Sequence, residues 1–328
     1  MSKKKLLCFG AIYMAAMGVA CADSGARPME LAQVMDTIVM NNHTVFIDMS
    51  ARMMDEAIWN RNRRLNKLWI DGGSALFSQR TDGARADGAR FDLNIGGDWQ
   101  FGETLVTGWT ARAAYIRGIG DAGNTDVRDL NGGVNLYFLK TLNRYMRFYG
   151  NGAFDMHFWN VQRDDAKGDA VSYAATAEFG LIHDWLNQYI MGNLYLRSGY
   201  NFGFDITERA AGADVAAADF DGFVVLTPGY SLIAQKRIYP SAWLEMRPYV
   251  TAGAEYDFFG VPDSVSWKLM GNSTWSNYDT KLNPLWVNGG AGIEFLGVRG
   301  WHIGLDYRYM FNSDIQMHKL WLDMKYRF

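Results

Sequence analysis

Asp155 and His157, two residues apart, form the clearest chemical pairing in the sequence. On a strand this spacing sets both side chains on one face, where a carboxylate can orient an imidazole as a general base. No serine nucleophile motif accompanies them, so a solvated or lumen-paired histidine is expected and no catalytic residue is assigned. His183 lies near an expected turn, while His302 and His318 are expected alone on inward faces. No His, Cys or carboxylate cluster has metal-ligand spacing, and no phosphate loop or dinucleotide fingerprint occurs. Neither an enzyme, a cofactor nor a metal is therefore expected. A different kind of chemistry, partner capture, is offered by Trp267, Trp275 and Tyr278 in the long segment 260–283, since exposed aromatics can anchor a surface partner. That segment can equally fold over a barrel mouth or form an extra hairpin.

The chain has 328 residues, 12 Trp and 35 Gly, a mixture suited to many strands joined by tight turns. Residues 1–22 read as a secretory signal. Lys3, Lys4 and Lys5 precede a short apolar run from Leu6 to Val19, and Ala20-Cys21-Ala22 gives a small-x-small cleavage pattern. Acylation at Cys21 is the rival reading, although Gly18 stands where that signal prefers leucine. Both cysteines, Cys8 and Cys21, lie in this leader, so disulfides and thiol chemistry are excluded from the exported chain. Losing the three leader lysines leaves 29 basic against 35 acidic side chains, a net of −6, and nucleic acid is not an expected partner.

Beyond the leader no apolar run approaches the ~20 residues of a spanning helix. Residues 23–44 form a short segment with weak helical patterning. Residues 45–66 read as a helix, with Met49, Met53, Ala57 and Leu65 near helical spacing. From Leu68 the period changes to 2. Trp301, Ile303, Leu305, Tyr307 and Tyr309 oppose His302, Asp306 and Arg308, and Leu320, Leu322, Met324, Tyr326 and Phe328 oppose Lys319, Asp323, Lys325 and Arg327. Runs of this length exceed the ~5–6 residues of soluble strands and reach the ~9–11 of a tilted membrane strand. About twelve strands are expected, near 67–78, 90–101, 104–117, 128–139, 145–160, 170–182, 188–206, 220–234, 243–259, 284–296, 301–311 and 315–328. Long gaps (80–89, 118–127, 162–169, 207–219, 260–283) alternate with short ones, which places the long ones outside the cell. The expected fold is all-β, an antiparallel transmembrane barrel over residues 67–328 in outer-membrane lipid.

On these motifs the chain resembles the translocator (β-domain) family of autotransporters. Arg61-Asn62-Arg63-Arg64-Leu65 leading into Leu68-Trp69-Ile70-Asp71-Gly72-Gly73 is similar to the family's linker helix running into its first strand. Phe91-Asp92-Leu93-Asn94-Ile95-Gly96-Gly97-Asp98-Trp99 with Gly108-Trp109-Thr110-Ala111-Arg112 resembles its Gly-x-Asp strand and return strand. Gly304-Leu305-Asp306-Tyr307-Arg308-Tyr309 with Met324-Lys325-Tyr326-Arg327-Phe328 resembles its closing hairpin. The resemblance implies a twelve-stranded barrel with helix 45–66 in the lumen. It also marks Leu322, Met324, Tyr326 and Phe328 as the signal for the barrel-assembly machinery. Arg52, Arg61, Arg63 and Arg64 would then face lumen carboxylates such as Asp155, Glu178, Asp205, Glu255 and Asp257, or else sit in water at the periplasmic mouth. About twenty residues between signal and helix are too few for a folded passenger. A translocator exporting its own N-terminal segment, a passive pore and an adhesin-like loop scaffold all remain open.

Overall fold

The computed structural model describes residues 34, 37–40, 42–45, 52–54, 57, 67–81, 84–120, 125–187, 189–259, 264–269, 276–279, 282–297 and 300–327. Expectations for the leader, Arg61, Arg63, Arg64, Trp275 and Phe328 lie outside these residues, as does the side chain of Tyr278. Among the described residues before 67, those at 34, 37–40, 42–45, 52–54 and 57 are helical. The strands are β1 (Lys67–Thr81), β2 (Ala84–Phe101), β3 (Leu105–Gly120), β4 (Thr125–Thr141), β5 (Met146–Arg163), β6 (Ala166–Asp184), β7 (Ile190–Asn201), β8 (Phe204–Ala210), β9 (Ala213–Phe220), β10 (Phe223–Gln235), β11 (Ile238–Ser241), β12 (Leu244–Tyr256), β13 (Ser264–Leu269), β14 (Ser276–Asp279), β15 (Leu285–Gly297), β16 (Trp301–Phe311) and β17 (Ile315–Arg327).

Twelve of them, β1 to β7 with β10, β12, β15, β16 and β17, form a closed antiparallel ring. Closure is made by β1 against β17, in register from Lys67↔Arg327 to Gln79↔Ile315. Each stave therefore has a hydrogen-bonded neighbour on both sides, as hydrocarbon demands. No helix among the described residues is long and apolar enough to cross a membrane. The crossing is made by strands.

The alternation that makes these segments strands also sorts their side chains. On β16, Trp301, Ile303, Leu305 and Tyr307 are exposed while His302, Gly304 and Asp306 are buried. Leu322, Met324 and Tyr326 lie on the same outward face of the neighbouring β17. Large apolar side chains thus coat the outside, and the buried interior holds Asp, Glu, Arg, Lys and Asn. That is the reverse of a soluble barrel. Trp185, Tyr189, Tyr239, Trp243 and Trp301 ring the end with the short turns, and Tyr115, Phe158, Tyr173, Tyr200 and Phe258 ring the other.

Two features depart from the expected layout. First, the described residues of 80–89, 118–127 and 162–169 are mostly strand: β5 and β6 stay paired up to Arg163↔Ala166, and β1 and β2 up to Thr81↔Ala84. Above the lipid both faces meet water, so the apolar alternation fades while backbone pairing continues. Second, the expected strand 188–206 breaks at Phe202-Gly203. Past the break Ile206 turns inward and Phe204 stacks on Phe220 at 4.6 Å. The described residues of 207–219 and 260–283 also include strands. β8 and β9 form a hairpin, β13 pairs with both β9 and β14, and together they continue the sheet above the barrel.

Candidate functional site in the barrel lumen

Helical residues of the N-terminal segment fill the ring, and their neighbours fix the direction of travel. Val34 and Ile38 join Val127, Trp159, Val161, Phe220, Phe223 and Val265 at the end with the long hairpins. Val39 and Met40 pack on Phe77, Ile116, Trp286, Met310 and Met317 on the opposite wall near that same end. Met53, Met54 and Ala57 instead meet Val106, Leu139, Tyr149, Ile182 and Met191, beside the short turns. The segment therefore runs from the hairpin mouth down to the turn mouth, with apolar contacts at both ends and a polar stretch between.

The polar stretch is built on Arg197 of β7. Its Nε donates to Glu178 Oε2 and its Nη1 to Glu255 Oε2, both at 2.5 Å, and all three side chains are essentially inaccessible. The remaining carboxylate oxygens are also engaged. Tyr149 Oη donates to Glu178 Oε1 at 2.6 Å and Tyr195 Oη to Glu255 Oε1 at 2.9 Å. Each tyrosine lies across a glycine on the next strand, Tyr149 over Gly180 and Tyr195 over Gly229, where a Cβ would collide with the ring. Glycine at these two positions lets the phenols lie flat along the wall and reach the carboxylates.

The segment supplies the next cation. His43 places Nδ1 3.3 Å from Glu255 Oε2 and Nε2 2.9 Å from Asp257 Oδ2, and packs at a tilt of 34° on Trp286 with centroids 4.2 Å apart. Two carboxylates facing two ring nitrogens require both N–H groups, which only the imidazolium has. Thr227 Oγ1 and Trp286 Nε1 also donate to Asp257, at 2.5 and 2.9 Å. Lower down, Arg52 pairs with Asp71 and lies 3.1 Å over the Trp69 ring, a paired and stacked guanidinium. The partner of Arg52 is thus Asp71, not one of the five carboxylates expected from sequence.

Those five separate on inspection. Asp155 is bound to Arg112 of the wall, Glu178 to Arg197, and Glu255 and Asp257 to His43. Asp205 is not in the lumen at all: it is exposed on β8, opposite Asp219, because the chain has already left the ring at Phe202. Trp267 is half-buried against the cluster around Val34 rather than free at the surface. Tyr278 lies in β14, paired with Val265. His43, Arg197, Tyr149 and Tyr195 were not anticipated. Inward parity alone marks Arg197 and Glu178, but nothing in the sequence joins them.

The acid–base pair also changes partner. His157 Nδ1 lies 2.8 Å from Asp129 Oδ2 across the β4–β5 ladder, both buried, while Asp155 belongs to Arg112. Ser172 stands opposite His157 in register, and its hydroxyl accepts from Trp159 Nε1 at 2.8 Å. The adjoining cavity is about 10 Å³, room for one water at most, and Ile38 is part of its lining. His157→Ala should therefore lower stability by roughly 2–3 kcal/mol, by stranding a buried carboxylate, without changing any ester-hydrolysis background; urea titration in detergent and a chromogenic ester assay check the two halves. His302 is near Glu294 at 3.6 Å rather than alone. His318 faces outward, against expectation, and its Nδ1 sits 2.7 Å from Tyr307 Oη, because it shares parity with Leu320 and Leu322.

A cavity of about 160 Å³ remains beside the segment, lined by Arg52 and Met54 and by Arg112, Arg247, Thr251 and Asp306 of the wall. Its volume is enough for on the order of ten waters.

No protein-family model and no curated relative matches the sequence. Solved structures do match in shape. The translocator domain of autotransporter NalP from Neisseria meningitidis superposes with a TM-score of 0.62 at 13% identity, covering 89% of this chain and 99% of that one. The β-domain of the Bordetella autotransporter BrkA gives 0.54 at 13% identity, over 80% and 98%. The Ralstonia pickettii toluene transporter TbuX gives 0.53 at 9% identity, over 83% and 92%. In fold, this chain is a closed twelve-stranded antiparallel β-barrel similar to those of outer-membrane proteins, autotransporter translocator domains among them.

Proposed function

We propose that the barrel holds its own N-terminal segment in the lumen as a translocator does, with the residues preceding Val34 delivered to the cell surface. The direction of threading carries this reading: Val34 sits among hairpin-end residues and Ala57 among turn-end residues. Outer-membrane barrels keep short turns in the periplasm and long connections outside. A chain that exits at the surface and returns through the lumen to β1 at the periplasmic rim has the topology export requires. A leader cleaved after Ala22 fits the same route. The folds of NalP and BrkA support the reading, and that of TbuX supports a solute pore, against which stand the helical residues packed at both ends of the lumen.

An epitope inserted after Asp23 tests it. Antibody should label intact cells to the level seen after the outer membrane is permeabilised. Label that appears only after permeabilisation would place the N-terminus in the periplasm and leave a pore or structural barrel as the function.

A further inference from the structure

The outward faces of β2 to β6 show where the lipid ends. Strand register places Phe91, Tyr115, Leu130, Phe158 and Val171 side by side as one apolar row. The next outward row toward the hairpin end is Ala89, Arg117, Arg128, Asn160 and Asp169. Apolar and aromatic side chains thus give way in one step to polar ones, at the height where acyl chains give way to headgroups.

In that polar row Arg117 and Arg128 face each other directly across the β3–β4 ladder. Like charges directly opposite destabilise a strand pair. One carboxylate is set between them. Asp126 accepts from Arg117 Nε at 3.0 Å and Nη2 at 2.9 Å, and from Arg128 Nε at 3.0 Å and Nη2 at 2.5 Å. Two guanidiniums against one carboxylate leave a net charge of +1. Both arginines are nearly half exposed, 47% and 42%, and neither Nη1 has a partner among the described residues. Asp126 also fixes both planes, so the remaining N–H groups are pre-oriented. Planar forks held in this way suit phosphate oxygens.

We propose that Arg117 and Arg128 dock a phosphate of the outer-leaflet glycolipid, whose acyl chains then lie along Tyr115, Leu130 and Phe158. The occupant follows from position. The site is continuous with the lipid-facing belt, so its ligand must bring hydrocarbon below and an anion above, and the phosphorylated glycolipid of the outer leaflet has both. The reading needs only the barrel and its sidedness, and is independent of whether the N-terminus is exported.

The test compares the full-length barrel with Arg117→Gln/Arg128→Gln in mild detergent, by native mass spectrometry with added bis-phosphorylated lipid A. The wild type is expected to retain the lipid about tenfold more than the double variant, a difference of ~1.4 kcal/mol. Dephosphorylated lipid A should bring the wild type down to the variant's level, and phosphatidylglycerol should bind the two proteins alike. Equal retention of bis-phosphorylated lipid A by both proteins overturns the proposal. So does equal retention of the dephosphorylated lipid by the wild type, a wild-type preference for phosphatidylglycerol of the same size, or full displacement by millimolar inorganic phosphate. If the double variant lacks heat-modifiable gel mobility, Arg128→Gln alone, which keeps the two-bond Arg117–Asp126 pair, is measured by the same criteria.

Discussion

Arg197→Met lowers the stability of the assembled barrel by on the order of 3–5 kcal/mol, the usual effect of removing one partner from a buried ion pair. The side chain fits the space, so the loss is electrostatic. Without the guanidinium, Glu178 and Glu255 stay buried as two negative charges facing one imidazolium, His43, with neutral hydrogen bonds from Tyr149, Tyr195 and Asn288. The urea midpoint of unfolding from lipid vesicles measures this. A companion variant separates charge from shape: Glu178→Gln/Arg197→Met removes one charge of each sign and should recover part of the loss. An Arg197→Met barrel as stable as wild type would mean that water reaches the triad freely and that the lumen is not sealed.

The second large effect is on conductance. Deleting residues 23–57 from the exported chain removes the only described residues that occupy the lumen centre, and single-channel conductance in planar bilayers should rise by roughly tenfold, as an empty twelve-stranded ring leaves a water-filled bore. The intact protein should show low, infrequent openings, because Met53, Met54 and Ala57 close one end with apolar contacts and Val34 and Ile38 close the other. Equal conductance before and after deletion would show that something other than this segment fills the bore.

Much of the ring was legible because lipid and lumen impose opposite demands on alternate residues. Leu194, Leu196 and Tyr200 against Asn193, Arg197 and Asn201 can be read only one way when hydrocarbon lies on one side. All twelve staves follow from that contrast. Legibility fades where the contrast fades. Arg117 and Arg128 end two of the expected strands above the lipid, and Asp126, which joins them, was read as loop because polar residues there are allowed on either face. Partners inside the lumen were hidden for another reason. Arg197 and Glu255 are 58 residues apart, and His43 and Asp257 are 214 apart. Ring closure sets those distances, not local spacing. His157 illustrates the trap: Asp155 is its neighbour in sequence and on its face, but the carboxylate across the ladder at Asp129 is the one in reach.

The seam between β1 and β17 has a consequence for biogenesis. Lys67 pairs with Arg327, so the first stave has no permanent neighbour on one side until the last has been made. Contacts spanning nearly the whole chain form slowly, because a long loop must close before any bond repays it. Until then the open edge of β1 can pair with other chains, a hazard that calls for a catalyst holding the two ends together. Once the seam zips shut, a segment left outside could enter only through a mouth, past the side chains that narrow it. Seating the helical residues before the wall closes avoids that passage.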